Sequence, residues 1–222
     1  MTRAMMIAGL LSLLMLPLGR GSLAADAKLS EEAVYAACMD LVRKSPEDGY
    51  EQALEWLGND GGAPAWHCAA IGLMGLQKYP EAASSLEQLG DQMAQSRPDI
   101  AAGLYAQAGQ AWTLADKINQ AYAAQTAGLQ LSPDDPDLLV DRAITNAALN
   151  NYKAAIDDLS RAAKLAPKRA DVLTYRASAW RYLNDLKRAR ADADAAVALD
   201  PTYPDALLER GIIRRLTKDA KG

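Results

Sequence analysis

Two cysteines and one histidine are the side chains of this sequence that most readily support chemistry. The only cysteines are Cys38 and Cys68, and the single histidine, His67, directly precedes the second of them. Such a set could form a structural disulfide, a catalytic thiol or a metal site. A dithiol oxidoreductase would need a Cys-x-x-Cys pair, and a metal site would need more ligands than these three residues offer. An even, minimal number of cysteines therefore favours one disulfide between Cys38 and Cys68.

Three arginines recur at equal intervals along the chain, at Arg142, Arg176 and Arg210. A regular row of guanidinium groups could bind the carboxylate or phosphate of a ligand. Asp158 and Asp192 are separated by the same interval, and they offer an internal alternative in which each arginine pairs with an aspartate of a neighbouring helix. We expect this structural ion-pair ladder, with the one arginine that is left over as the better candidate for ligand binding.

Motifs of known enzyme chemistry are absent from the sequence. With one histidine there is little scope for a Ser-His-Asp arrangement, and there is no glycine-rich phosphate loop or His-Glu-x-x-His pair. Asp192, Asp194 and Asp200 alternate with other residues on a helix, so they spread over different faces and do not form a calcium loop. The sequence therefore predicts no catalytic residue, no cofactor and no bound metal.

The interval that separates the arginines extends well beyond them. It also separates Leu131, Leu165 and Leu199, Pro133, Pro167 and Pro201, Ala121, Ala155 and Ala189, and the small residues Gly109, Ala143, Ala177 and Gly211. Within one interval, a helical apolar pattern stops at Asn150 and Asn151 and resumes until Pro167. Each unit is thus predicted to be a leading helix, a tight turn and a second helix, which bury their apolar faces by stacking on neighbouring units.

These units resemble the tetratricopeptide repeat (TPR) family, whose repeat is about 34 residues long. Three copies match the family pattern of large and small residues, with a closing proline: Tyr105, Ala108, Gly109, Trp112, Ala121 and Pro133; Leu139, Arg142, Ala143, Ala155, Leu159 and Pro167; Leu173, Arg176, Ala177, Trp180, Ala189, Ala193 and Pro201. Gln125 and Asn146 depart from the pattern, because larger apolar residues are expected there. The resemblance implies an all-α fold, a right-handed superhelical solenoid of antiparallel helix pairs with about five units and a terminal capping helix.

After residue 24, the repeated pattern predicts a single solenoid domain at 25–222. Its predicted parts are a degenerate unit at 29–60, repeats at 63–97, 102–135, 136–169 and 170–203, and a capping helix at 204–218. The interval from Trp66 to Tyr105 is longer than the one from Tyr105 to Leu139, so we expect an insertion in the loop around residues 95–99. In this register Cys38 and Cys68 lie on the leading helices of consecutive units, which favours their pairing.

Residues 1–24 have the pattern of an export signal. A basic start at Arg3 precedes an apolar run, and small residues precede Ala25. The run of about 15 residues is shorter than the roughly 20 that span a bilayer. We expect cleavage after Ala24 and a periplasmic or secreted product without a stable membrane span, with an uncleaved anchor as the alternative. An exported chain enters an oxidising space, which agrees with a disulfide.

Acidic residues outnumber basic ones. The chain has 24 Lys and Arg residues against 28 Asp and Glu residues, for a net charge of −4. Loss of Arg3 and Arg20 with the signal makes the mature chain more acidic still. Nucleic-acid binding favours a basic surface, so the sequence argues against a nucleic-acid partner.

The resemblance also implies where a partner binds, because the leading helices of TPR proteins line a concave surface. The residues that this register places there are His67, Ile71, Gln110, Val140, Ile144, Thr174, Ser178, Arg181, Leu208 and Ile212. Their mixture of apolar, hydroxyl and amide groups suits an extended or helical peptide; ordinary solvated or inter-helix surface is the alternative. The Lys, Asn and Arg clamp of TPR cochaperones is absent, since the corresponding places are His67, Ile71, Gln107, Asp171 and Tyr175.

We therefore expect a non-enzymatic scaffold that binds a protein or peptide segment on its concave face in the cell envelope. The alternative is a structural or oligomerising subunit of an envelope complex that uses its ends for stacking. Exposed apolar residues on the last helix would favour that alternative.

Overall fold

The computed structural model describes residues 30–218 of the chain, and the predicted signal at 1–24 lies outside them. Within this range there are helices and no strand, which confirms the all-α prediction. The helices are α1 (Glu31–Lys44), α2 (Pro46–Gly58), α3 (Gly62–Gly75), α4 (Tyr79–Met93), α5 (Pro98–Leu114), α6 (Ile118–Leu131), α7 (Pro136–Ala148), α8 (Tyr152–Leu165), α9 (Ala170–Tyr182), α10 (Leu186–Leu199) and α11 (Pro204–Leu216). None of these helices is both long and apolar enough to cross a membrane.

The helices pack on one another in chain order. Each helix contacts the next, and contacts also join the odd-numbered helices in the pairs α1 with α3, α5 with α7, α7 with α9, and α9 with α11. The odd-numbered helices are the leading helices of the units, and the even-numbered ones are the second helices. Short turns, at 149–151 and 183–185, join a leading helix to its second helix, so the two run antiparallel.

The turn after each of the leading helices α3, α5, α7 and α9 contains a residue in the left-handed conformation. φ is 59° at Gln77, 57° at Asp116, 62° at Asn150 and 60° at Asn184. Asn and Asp tolerate this conformation better than most residues with a side chain, which explains why the polar pair at 150 and 151 interrupts the helical pattern. Lys218, with φ of 57°, adopts the same conformation in the turn after α11, so α11 ends as α3, α5, α7 and α9 end.

Small side chains allow close contact between the helices. Ala121, Ala155 and Ala189 recur at the repeat interval, and each is 0% exposed. At Gly109 an added Cβ would lie 2.8 Å from Cγ of Gln125, so α5 and α6 approach too closely there for a larger residue. Gln125 itself is buried, and its Oε1 has no hydrogen-bond partner. The close packing thus follows from residue size.

The extra residues before the third unit lengthen helices and not a loop. The connection at 94–97 is as short as the one at 132–135, whereas α5 has 17 residues against 13 in α7 and in α9. The prediction of an insertion in the loop around residues 95–99 is therefore wrong. Proline is favoured in the first turn of a helix, so Pro98 begins α5 early and the alanine-rich segment after it continues the helix.

Candidate functional site

An apolar cavity of about 610 Å³ opens between the leading helices α1, α3 and α5. Among successive leading helices, α3 and α5 approach each other least, and the cavity occupies the space between them. The lining residues come from α1, α3, α4 and α5: Glu31, Glu32, Tyr35, Ala63, Pro64, His67, Leu89, Met93, Ile100, Gly103, Leu104 and Gln107. Its size is in the range of ligand pockets, which are about 300–1,000 Å³.

The lengthened helices build one wall of this cavity. Met93 is the last residue of α4, and Ile100 lies in the additional first turn of α5. Gly103 faces the cavity from the next turn, and nothing lies within 4 Å of the position that its Cβ would occupy. The departure from the regular repeat interval therefore supplies apolar side chains that line the cavity between α3 and α5.

A hydrogen-bonded row crosses the three helices beside the cavity. The hydroxyl of Tyr35 lies 2.8 Å from Nδ1 of His67, and Nε2 of His67 lies 2.8 Å from Oε1 of Gln107. An amide oxygen only accepts, so Nε2 of His67 donates to Gln107 and Nδ1 accepts from the Tyr35 hydroxyl. Burial lowers the pKa of His67, and the hydrogen bond to Gln107 opposes that shift in part. The neutral imidazole is thus the favoured form.

Polar contacts continue along the later leading helices. The amide of Gln110 in α5 donates to Oδ2 of Asp141 in α7 at 3.4 Å. Arg169, just before α9, bonds to Asp137 of α7 and to Asp171 of α9. Burial raises the pKa of Asp141. Successive leading helices are therefore tied together by side chains on one face, in addition to their apolar contacts.

A second, smaller cavity of about 100 Å³ lies between α7, α8 and α9. Its aromatic wall contains Tyr152 and Tyr182, whose rings stack with 4.7 Å between centroids. The guanidinium of Arg181 lies 4.5 Å from the centroid of the Tyr182 ring. Ile144, Ala147, Tyr175 and Ser178 also line this cavity. The leading helices thus carry two apolar depressions.

The predicted partner-binding residues differ in exposure. Ile144, Leu208 and Gln110 are exposed, whereas His67, Ile71, Ser178, Arg181 and Ile212 are partly buried. Val140 and Thr174 are each 5% exposed, so little of either side chain is accessible, and their role in partner binding stays a prediction. Val140 packs in the core cluster of α7, α8 and α9, and the Thr174 hydroxyl donates to the Ala170 carbonyl. Only His67 lines the larger cavity, and only Ile144 and Ser178 line the smaller one.

Two of the three repeated arginines form ion pairs between the helices of one unit. Nε and Nη2 of Arg142 donate to the Asp158 carboxylate at 2.9 and 2.7 Å. Nε and Nη2 of Arg176 bond to Asp192 in the same way, both at 2.7 Å. Within residues 30–218, Arg210 has no ion pair or side-chain hydrogen bond. It is the arginine left over from the ladder.

Cys38 and Cys68 form a disulfide between α1 and α3, with their Cα atoms 6.3 Å apart. Both residues are buried, at 1% and 0% exposure. The bond accounts for both thiols, which leaves neither as a nucleophile or ligand. In the part of the chain that the structure describes, no three His, Cys, Asp or Glu residues are grouped as metal ligands would be.

Sequence reasoning missed Tyr35, Met93 and Ile100, which line the larger cavity with His67. The lengthened interval between the second and third units was the signal that could have found Met93 and Ile100. A local lengthening of one unit implies that it carries side chains for which the regular repeat has no counterpart. Tyr35 lies in the degenerate first unit, where the repeat register is weakest.

A family model and several solved structures match this chain. Residues 112–179 match the tetratricopeptide repeat model. YrrB, described as a TPR protein with an unusual peptide-binding site, has 17% identity and a TM-score of 0.65, over 80% of this chain and 90% of that one. MamA from Desulfovibrio magneticus RS-1 has 14% identity and a TM-score of 0.66, over 78% of this chain and 97% of that one.

A third similar structure is the second TPR domain of human RPAP3, solved in complex with the HSP70 peptide SGPTIEEVD. It has 22% identity and a TM-score of 0.51, over 53% of this chain and 98% of that one. At these identities the likeness concerns the fold. No curated protein sequence matches the chain. Residues 112–179 thus match the tetratricopeptide repeat, and the stacked helix pairs of the described chain share the fold of these solved structures.

Proposed function

We propose that this protein is a non-enzymatic scaffold that binds a segment of another protein along the face of its leading helices. The observation that carries the proposal is the cavity of about 610 Å³ between α1, α3 and α5. Leu89, Met93, Ile100 and Leu104 make it apolar, and it is large enough for one bulky apolar side chain of the bound segment. Burial of such a side chain contributes roughly 1.5–3 kcal/mol to binding.

Structural neighbours support a role in binding. YrrB is described as having an unusual peptide-binding site, and the RPAP3 domain was solved with an HSP70 peptide. The cochaperone clamp for a terminal carboxylate has no counterpart here, because His67, Ile71, Gln107, Asp171 and Tyr175 occupy its places. We therefore infer that an apolar anchor, and not a terminal carboxylate, directs recognition.

Charge beside the cavity favours a partner with basic residues. Glu31 and Glu32 line the cavity, and Asp137 and Asp141 lie further along the leading helices. Arg169 bonds to Asp137 and so offsets part of this negative charge. The segment that fits best carries a large apolar residue next to Lys or Arg, because like charges across an interface reduce affinity.

The experiment uses peptides selected from a random display library against the full chain. Their affinity for the wild type is compared with that for Gly103→Trp, which fills the cavity from an exposed position with nothing within 4 Å of its Cβ. The matched control is Gly58→Trp, on α2, where nothing lies within 4 Å of the Cβ either. We expect at least about a tenfold loss for Gly103→Trp alone. Equal affinity for both variants would contradict the proposal.

We further infer that the protein works in the cell envelope. The apolar pattern of residues 1–24 and the disulfide between Cys38 and Cys68 support this location, because disulfides persist in oxidising compartments. Fractionation of cells, with mass measurement of the mature chain, tests the inference. A chain that retains residues 1–24 in the cytoplasmic fraction would contradict it.

A further inference from the structure

The last described helix, α11, repeats the residues by which α7 and α9 contact their second helices. The repeat interval relates three residues of α11 to residues of α9 and α7. Leu207 corresponds to Leu173 and Leu139, Arg210 to Arg176 and Arg142, and Gly211 to Ala177 and Ala143. The turn after α11 also has a residue in the left-handed conformation, Lys218, at the position that Asn150 and Asn184 occupy after α7 and α9. Its outer side therefore has the register of a surface that a second helix covers.

On α7 these positions are covered by α8. Leu139 is 0% exposed, Ala143 is 1% exposed, and Arg142 pairs with Asp158 at 2.7 Å. On α9 the arrangement recurs with α10, because Ala177 is 0% exposed and Arg176 pairs with Asp192 at 2.7 Å. In both second helices the aspartate follows a buried alanine in the pattern Ala-x-x-Asp, at Ala155 and Ala189.

On α11 the same positions are open. Leu207 is 40% exposed, and nothing lies within 4 Å of the position that a Cβ of Gly211 would occupy. Arg210 makes no ion pair with any other residue in the range 30–218. No described helix follows α11 to cover these groups.

The charge of this end identifies the kind of helix that would fit. Arg214, Arg215 and Lys218 lie near Arg210 in sequence, and Nε of Arg214 is buried without a hydrogen-bond partner. Arg214 also lies 3.9 Å from Asp194, which is a long contact for an ion pair. A carboxylate on the covering helix would complement the positive charge of this end of α11 and could pair with Arg210.

We propose that α11 binds an amphipathic helix of a partner protein that carries the pattern Ala-x-x-Asp. The alanine lies against Gly211, and the aspartate pairs with Arg210, as Asp158 pairs with Arg142. An apolar residue of the partner covers Leu207. This surface is separate from the cavity between α1, α3 and α5, so the proposal goes beyond the binding function proposed above.

The test uses a peptide of residues 151–165, which is the chain's own α8 with its preceding turn residue. A lactam bridge between Lys153 and Asp157, both exposed and one helical turn apart, holds it helical. A fluorescent label reports its binding to the full chain by anisotropy. We expect saturable binding that Arg210→Glu weakens at least about tenfold, and that Asp158→Lys in the peptide weakens similarly. Combining the two reversed charges should restore binding.

Gly211→Trp provides a variant that blocks the surface without touching the core. Because Gly211 has open space around it, we expect the melting temperature to stay unchanged while the peptide no longer binds. Gly103→Trp, in the cavity, should bind the peptide as the wild type does, so failure of one proposal is distinguishable from failure of the other.

Three results would overturn the proposal. The first is the absence of saturable binding at peptide concentrations up to about 1 mM. Any binding free energy would then be smaller in magnitude than about 4 kcal/mol. The second is equal binding by the wild type, Arg210→Glu and Gly211→Trp. The third is self-association of the full chain that Arg210→Glu abolishes, because the occupant of α11 would then be a second copy.

Discussion

At the scale of single residues, position along the repeat decides what an arginine does. Arg142 and Arg176 are held against a carboxylate of the same unit, with side chains 18% and 21% exposed. Arg210 has the same place in its helix but no second helix behind it in residues 30–218. The same residue type thus forms an ion pair inside two units, and at Arg210 it forms none within residues 30–218.

Removing a paired arginine should therefore cost more stability than removing Arg210. We expect Arg142→Met and Arg176→Met each to lower the free energy of unfolding by about 2 kcal/mol, because a mostly buried aspartate loses its counter-ion. Methionine keeps the apolar stem, so packing changes little. Arg210→Met should change stability by less than about 0.5 kcal/mol. Denaturant titrations measure all three, and equal losses would contradict this assignment.

The half-buried histidine should make stability depend on pH. The pKa of His67 in the folded chain is lowered by burial, so the unfolded chain takes up the proton first as the pH falls. The free energy of unfolding should then decrease as the pH drops below about 6.5, the ordinary value for histidine. Thermal melts of the wild type and His67→Gln at about pH 7.5 and 5.5 measure this effect.

The comparison with His67→Gln isolates the imidazole from the carboxylates. Burial raises the pKa of Glu87 and of Asp141, and these groups act in the opposite sense, because the folded chain takes up their protons first. The wild type and His67→Gln both retain Glu87 and Asp141, so the contribution of these carboxyl groups cancels when the two proteins are compared. If the two proteins lost the same stability on acidification, His67 would not be the responsible group.

At the scale of elements, α1 is the first described helix, and a disulfide ties it to α3. Its neighbours are α2 and α3. The disulfide joins it to α3 across a sequence separation of 30 residues. A helix at the end of a stack has fewer neighbours to hold it, so a covalent link has its largest local effect there.

We expect the double variant Cys38→Ala with Cys68→Ala to lower the stability of the amino-terminal end by about 3–4 kcal/mol, the value for a loop of this length in the chain-entropy description. Hydrogen exchange should quicken in α1 and α2 and remain slow in α7 to α9. Reduction of the wild type should reproduce the effect, and reduction of the variant should add nothing. Uniform acceleration along the chain would show that the link acts on the whole domain.

At the scale of the whole molecule, the described chain is a line of helix pairs in which each unit contacts only its neighbours in sequence order. Its core is correspondingly divided into several separate apolar clusters along the chain. Stability in such an array is close to a sum of unit and interface contributions. Damage at one interface should therefore stay near that interface.

Ala155→Glu tests this locality. The residue is 0% exposed between α7 and α8, so a glutamate there overpacks the contact and buries a charge, at a cost of about 3–5 kcal/mol. Hydrogen exchange should report loss of protection in α7 to α10 with α1 to α4 still protected. Ala154→Glu, on the exposed neighbouring residue, is the control. Simultaneous unfolding of all helices would contradict the one-dimensional description.

The sequence alone determined the repeat, the helix pairs and the pairing of Cys38 with Cys68. The repeat and the helix pairs could be predicted because contacts between residues at fixed separations leave a periodic trace of small and apolar side chains. The disulfide could be predicted because the sequence has only two cysteines. Arg142 with Asp158 and Arg176 with Asp192 were predictable for the same reason as the repeat. The tertiary structure decided where a cavity exists and which helix face stays open.

Those features depend on how neighbouring helices pack, and the sequence records the lengthening of α4 and α5 only as a longer interval. Met93 and Ile100 line the cavity because α4 and α5 are lengthened, whereas Val140 and Thr174 are buried although their register placed them on the binding face. Exposure results from the helices packed against a residue, and no local pattern specifies it fully.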